Sequence, residues 1–153
     1  MKRRLVCVGR VREAYIASAV SDFSTRLSRY EPVEIIEVPA SRATDSARAV
    51  REEGEAILKR IDAGDTLWLL ERTGAQLSSR DLAGRLHALA HDGTRSLTLV
   101  IAGTFGASDA LRARADFQWS LSELTFLHEW ARALVLEQLY RAAKIERGQA
   151  YHH

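Results

Sequence analysis

The sequence predicts an α/β fold with a mainly parallel sheet covered by helices. Two observations carry that expectation. Short apolar runs at residues 5–8, 33–38, 67–70 and 97–102 alternate with longer segments whose apolar residues recur at helical spacing. The runs are also continuous rather than alternating, the pattern of strands buried on both faces. No repeat, low-complexity tract or linker divides the 153 residues, so one domain spanning residues 1–153 is expected, large enough for a core without disulfides or structural metal.

Each element follows from local residues. Residues 5–8 are β-rich and end at Gly9; Tyr15, Ile16, Ala19, Val20, Phe23 and Leu27 then fall on one helical face. Pro32 and Pro39 bracket the β-branched run 33–38, and residues 41–46 are polar and read as loop. A helix over 48–61 carries Ala49, Val50, Ile57, Leu58 and Ile61, and Gly64-Asp65 stops it before the strand at 67–70. Ser78 opens the next helix (Leu82, Leu86, Leu89, Ala90) with Asp81 three residues on, a capping box using Asp in place of Glu or Gln. Asp92-Gly93 ends it. After the strand at 97–102 come Gly103, Gly106 and Ser108, the last an N-cap for a short helix through Ala115. Residues 117–126 read as irregular apolar chain, and 128–145 as a long final helix.

Charge and cysteine content narrow the class. With 22 Lys and Arg against 20 Asp and Glu, the net charge of +2 excludes a polybasic coat, so nucleic-acid binding would need a local patch. The single cysteine, Cys7, has no disulfide partner and no zinc-binding company. The apolar stretch after Lys2-Arg3-Arg4 ends after four residues, where a secretory core needs about 7 to 15, and no segment approaches the roughly 18 apolar residues of a membrane span. A soluble cytoplasmic protein without membrane or metal partners is expected.

Several features could carry chemistry. In a doubly wound sheet, ligands bind at the carboxyl ends of strands, which places residues 70–74 and 103–106 near the pocket. The loop Ala102-Gly103-Thr104-Phe105-Gly106 offers backbone N–H groups to a flat or anionic ligand, or is an ordinary turn. Leu70 lines the same pocket or belongs to the core. The segment 117–128, alternating apolar and hydroxyl residues, either wraps a ligand or is a buried connector with bonded Ser and Thr. His128 and Arg132, at i and i+4, share one side of the final helix near its N-terminus; Arg132 could hold an anion or pair with Glu129. Arg141, Lys144 and Arg147 recur every three residues among Tyr140, Tyr151, His152 and His153, cations with rings as RNA binding uses them, although a helix C-terminus favours basic residues too.

The order of these features resembles a known family along essentially the whole chain. The segments are Leu5-Val-Cys-Val-Gly9, Ile35-Ile-Glu-Val-Pro39, Ile101-Ala-Gly103, Trp119-Ser-Leu-Ser122, and Thr125-Phe-Leu-His128 through Glu137-Gln-Leu-Tyr140-Arg-Ala142 to Ala150-Tyr-His152. This is similar to the RlmH family of SPOUT methyltransferases, the ribosomal RNA large-subunit methyltransferase H proteins. The resemblance implies a SPOUT-type α/β knot with a C-terminal trefoil, a homodimer, and S-adenosyl-L-methionine as methyl donor. It implies methylation of N3 of a pseudouridine in 23S ribosomal RNA, on the large subunit or the assembled ribosome. Cofactor contacts carry over to Leu70, Gly103, Ser122, Glu123, Leu124, Thr125, Phe126 and Leu127. Three positions depart from the family pattern: Ala102 stands for a second glycine, Thr104-Phe105 for Pro or Ser before a small residue, and Leu127 for Pro before His128. Ala102 is compatible with the cofactor loop if its φ is negative.

On this reading the acceptor N3 must lose a proton, and Arg132 is expected to orient substrate or stabilise the developing charge. His128, Tyr151 and His152 are expected to contact the base or move the proton, and Arg141, Lys144 and Arg147 to bind RNA. The tail is expected to reach the partner subunit's pocket. One rival is a non-catalytic ribosome- or RNA-binding dimer that has lost donor binding through Ala102, Phe105 and Leu127; another is a doubly wound nucleotide-binding domain without RNA function.

Overall fold

A computed structural model describes residues 1–150. Five strands, β1 (Lys2–Val8), β2 (Val33–Val38), β3 (Thr66–Gln76), β4 (Ser96–Ile101) and β5 (Phe117–Ser120), form one parallel sheet in the order β2-β1-β4-β3-β5. Helices α1 (Ala14–Leu27), α3 (Ser79–His91) and α5 (Trp130–Glu146) cover one face, packing on Leu5, Cys7, Trp68, Leu97 and Leu99. Helices α2 (Ser46–Leu58) and α4 (Asp109–Arg114) cover the other, on Val6, Val8, Leu67, Leu69 and Val100. The alternation of successive β1 residues between two cores explains the continuous apolar run. Each fully buried Leu or Val contributes about 1.5–3 kcal/mol.

The connections share one sense. Moves toward the β2 edge (β1 to β2, β3 to β4) run over the first face; moves toward the β5 edge (β2 to β3, β4 to β5) run over the second. The chain therefore leaves the adjacent strands β1 and β4 toward opposite faces, which opens a crevice beyond their carboxyl ends.

The structure corrects the expected elements at three places. Phe117–Ser120, read as irregular, is an edge strand, held to β3 by Trp68, whose ring meets Phe117 and Trp119 edge-on at 5.0 and 6.2 Å. The strand expected at 67–70 continues to Gln76, after a register shift, through its pairing with β5. Helix α2 begins at Ser46 because the Asp45 side chain accepts from the Arg48 N–H at 2.8 Å, and it ends at Leu58. The Ser78 box forms as expected: Ser78 Oγ accepts from Asp81 N–H at 3.1 Å and donates to its carboxylate at 2.6 Å. Among the described residues, no helix is long and apolar enough to cross a membrane.

Candidate functional site

A cavity of about 1010 Å³ opens beyond the carboxyl ends of β1, β3 and β4. Three stretches far apart in sequence build most of its wall, Leu70 to Arg72 ending the buried part of β3, Ile101 to Ala107 after β4, and the connector from β5 to α5, and the β1–α1 turn, Ala40 and Glu53 complete it. The sheet dictates this meeting, since β4 lies between β1 and β3. The volume suits a small-molecule ligand, for which about 300–1,000 Å³ is usual.

The β4–α4 turn is tight: Gly106 N–H donates to the Gly103 carbonyl at 2.9 Å, and Gly106 has φ +92°, where side chains are disfavoured. A Cβ on Gly103 would overlap the Glu53 carboxylate. Ala102 is outside the left-handed region, as no non-glycine residue among the described residues has positive φ, which meets the condition its methyl group imposes. In the connector, Ser120 Oγ contacts the carbonyls of Arg72 and Ser122 at 2.9 and 3.0 Å, and Ser122 Oγ accepts from Leu124 N–H at 3.1 Å. The hydroxyls of this segment therefore bond to backbone groups, as a connector would, but residues 121–128 are half-buried or exposed rather than buried, and all of them except Glu123 line the cavity.

Of the residues carried over as cofactor contacts, Leu70, Gly103, Ser122, Leu124, Thr125, Phe126 and Leu127 all line the cavity. Glu123 is exposed and is not part of the wall. His128 is on the wall, with Nε2 3.3 Å from the Val8 carbonyl. A carbonyl only accepts, so this bond puts a hydrogen on Nε2, and in the neutral ring the Nδ1 lone pair is then free.

Arg132 is placed differently from the substrate-facing position expected of it. It is 1% exposed and lies behind the wall, its Nη1 paired with Glu37 at 2.7 Å and its Nη2 donating to the carbonyls of Val8 and Gly9 at 3.0 and 2.6 Å. The guanidinium thus fixes the β1–α1 turn, where Gly9 has φ +68°. Nor does Arg132 pair with Glu129. That carboxylate accepts from the Arg12 and Glu13 N–H groups at 2.9 and 3.3 Å, at the otherwise uncapped start of α1. The Arg12 N–H first, then that of Glu13, hold Glu129 below the usual carboxylate range against the effect of burial.

Arg141, Lys144 and Arg147 are not brought to this cavity within the chain. Helix α5 touches it near Ala131, and at 1.5 Å per residue Arg147 lies about 24 Å further along. Arg141 bonds Glu137 at 2.7 Å, and Arg147 lies over the Tyr30 ring at 4.8 Å. Tyr151 and His152 lie outside the described residues. Cys7 is fully buried, and burial pushes its thiol up to about 12, which makes it inert as a nucleophile.

Sequence reasoning missed Glu53, which is 7% exposed and contributes to the cavity wall. Its neighbour supplied a signal: Gly54 sits inside a helix, where glycine costs about 1 kcal/mol against alanine, and a Cβ there would overlap Ser108 Oγ. The glycine permits α2 to press on the start of α4.

The sequence matches the family described as "Predicted SPOUT methyltransferase" over residues 1–152. Similar curated proteins include the ribosomal RNA large subunit methyltransferase H of Syntrophotalea carbinolica, 41% identical and covering 99% of each chain. The protein of the same name from Pelobacter propionicus is 40% identical over the full length of both. Among solved structures, the SpoU methyltransferase AviRb from Streptomyces viridochromogenes, in complex with AdoMet, has a TM-score of 0.50 at 15% identity, covering 97% of this chain and 59% of that one.

Proposed function

The chain belongs to the SPOUT methyltransferase family, and from that premise we propose that it methylates N3 of pseudouridine 1915 in 23S ribosomal RNA, with S-adenosylmethionine as donor. The observation that carries this reading is convergence: residues assigned to the donor by resemblance come from three separated stretches and line one cavity. The site fits such a ligand by its size, by its glycine turn, and by an orphaned buried oxygen, Glu53 Oε2, in its wall. The negative φ of Ala102 favours a working donor loop over the non-catalytic rival.

When bound, the donor supplies an electrophilic methyl group on a sulfonium. Leu70, Gly103 and the connector residues Ser122, Leu124, Thr125, Phe126 and Leu127 enclose it and exclude water; Glu123 lies at the exposed bend of the same connector. The acceptor N3 gives up a proton, for which His128 Nδ1 is the candidate acceptor. Arg132 is a positioning residue: by holding the Val8 and Gly9 carbonyls it sets the floor on which His128 rests. Tyr151 and His152 complete the site from the tail, in the partner subunit's cavity of a homodimer. Phe105, Leu124 and Leu127 at the cavity and Tyr15, which packs on Trp130, are 59–71% exposed, an apolar area that a second copy would cover. Arg141, Lys144 and Arg147 hold RNA backbone on the large subunit or the assembled ribosome, in the cytoplasm.

The test is transfer of labelled methyl from S-adenosylmethionine to ribosomes, separated subunits and free RNA, followed by mapping of the modified nucleotide. Label at N3 of that one pseudouridine is the expected result. Absence of label from every RNA substrate would reject the activity, and label elsewhere would reject the target.

A further inference from the structure

We propose that Glu53 makes the cavity selective for ligand charge, so that a cationic donor binds more tightly than the neutral product left after methyl transfer. The inference rests on the reading of the cavity as a S-adenosylmethionine site.

Two glycines bring this carboxylate into place. Gly54 lets α2 approach Ser108, and Gly103 leaves room for Glu53 Oε2 directly against its own Cα. Glu53 Oε1 accepts from Ser41 N–H at 3.0 Å, whereas Oε2 is buried with no hydrogen-bond partner among the described residues. Burying an unpaired carboxylate oxygen is unfavourable unless something else in the site compensates it.

The other acids on the wall are either engaged or, as with Glu13, exposed to solvent. Glu71 accepts from Arg112 Nε at 3.0 Å, and Glu129 from two backbone N–H groups at the start of α1. Glu53 has no ion pair among the described residues; a single neutral N–H serves it. In a wall of low dielectric, such a charge acts on a ligand more strongly than it would at the surface. S-adenosylmethionine and S-adenosylhomocysteine share the adenosine, ammonium and carboxylate groups and differ in the methyl group and the positive charge on sulfur. The difference between their affinities therefore reports the methyl group and the charge at the reacting centre together, which a cationic ligand lacking that methyl separates; a preference for the cation favours donor loading and product release.

Calorimetry on the full chain tests this with three ligands: S-adenosylmethionine, S-adenosylhomocysteine, and sinefungin, in which a carbon replaces the sulfur and carries a cationic amine in the place of the methyl group. The unsubstituted protein is expected to bind both cationic ligands more tightly than the neutral one. Glu53→Gln keeps an acceptor for Ser41 N–H, and is expected to weaken both cations about tenfold while S-adenosylhomocysteine changes less than about twofold. Equal weakening of all three, or of none, overturns the role of Glu53 and leaves the donor site standing. Failure of all three to bind the unsubstituted protein overturns the donor site and this inference together. Should the Gln variant not fold, sinefungin and S-adenosylhomocysteine binding equally to the unsubstituted chain overturns the inference, and their separation narrowing in Glu53→Asp, with its carboxylate drawn back, supports it.

Discussion

The two ends of the sheet bury charge in different ways. At the amino end, Arg3 and Arg4 leave β1 to opposite faces, 2% and 7% exposed, and each meets an acid: Arg3 pairs with Glu31, and Arg4 with Asp65 and Asp62. Asp65 also accepts from Asp62 N–H at 3.0 Å and Thr98 Oγ1 at 3.2 Å. At the carboxyl end, Arg132 is similarly closed off by Glu37 and two carbonyls, yet Glu53, a few residues into the wall of the same region, has no cation. Paired charge marks where the fold is fastened. Unpaired charge beside a cavity marks where a ligand completes the structure, and the contrast can be tested by breaking each end separately.

The largest expected effect is at the fastened end. Asp65→Asn leaves the buried Arg4 guanidinium only the exposed Asp62 carboxylate and the Arg60 carbonyl and should destabilise the protein by about 3–5 kcal/mol, read from urea unfolding at neutral pH, with donor affinity of the folded fraction unchanged. Burial alone would push Asp65 up, but the Asp62 N–H, the Arg4 charge and the Thr98 hydroxyl outweigh it and hold the carboxyl below its usual range. Its folded pKa is thus depressed. The stabilisation is present above the ordinary Asp value of about 3.9 and is lost as pH falls through the lower folded value. The acid limb of the stability curve should flatten in the variant; a loss under about 1 kcal/mol would deny Asp65 its fastening role.

A smaller effect is expected at the open end. Gly103→Ala forces a Cβ into the Glu53 carboxylate, so the turn or α2 must give way, at about 1–3 kcal/mol of stability. Donor binding should weaken more than tenfold. Adding Glu53→Ala makes room and should recover much of the lost stability without restoring charge selectivity. If the double variant is no more stable than Gly103→Ala alone, the close approach of these two residues is not what constrains the turn.

This contrast was only half legible in the sequence. Strands β1 and β4 could be read because both faces are buried and their ends carry Gly9 or a glycine turn, and β2, an edge strand with Glu34 and Glu37 exposed, because its β-branched residues stand between Pro32 and Pro39. The outer half of β3 and all of β5 could not, since residues 71–76 are polar and partly exposed and owe their extended form to pairing between the two strands. The same holds for the site. His128 and Arg132 fall on one side of a helix by spacing alone, but what separates a wall residue from a buried clamp is the pair of carbonyls at Val8 and Gly9, more than 120 residues away in sequence. Glu53 was hidden for a related reason: Gly54 signals close packing, but the partner, Ser108, is supplied by the fold.

The smallest expected effect concerns a second orphaned carboxylate, and it asks whether an unpaired oxygen alone distinguishes the two ends. Glu146 Oε1, at the amino end, is buried without a hydrogen-bond partner among the described residues, as Glu53 Oε2 is. Burial and then the neighbouring Glu31 raise its pKa, against the attraction of Arg3. A raised folded value means that the native state gives up the proton later than the unfolded chain does. Stability is therefore lost as pH rises from the unfolded value, about 4.3, through the folded one. Glu146→Gln removes that loss. Because the side chain is partly solvated, the gain at pH 7.5 should stay below about 1 kcal/mol and should vanish at pH 4, where the native carboxyl is already protonated. Urea unfolding at both pH values measures the difference. A variant less stable than the parent at pH 7.5 would mean that attraction to Arg3 dominates, making Glu146 part of the fastening; a gain confined to neutral pH leaves it a strained member of that cluster, away from the cavity that Glu53 lines.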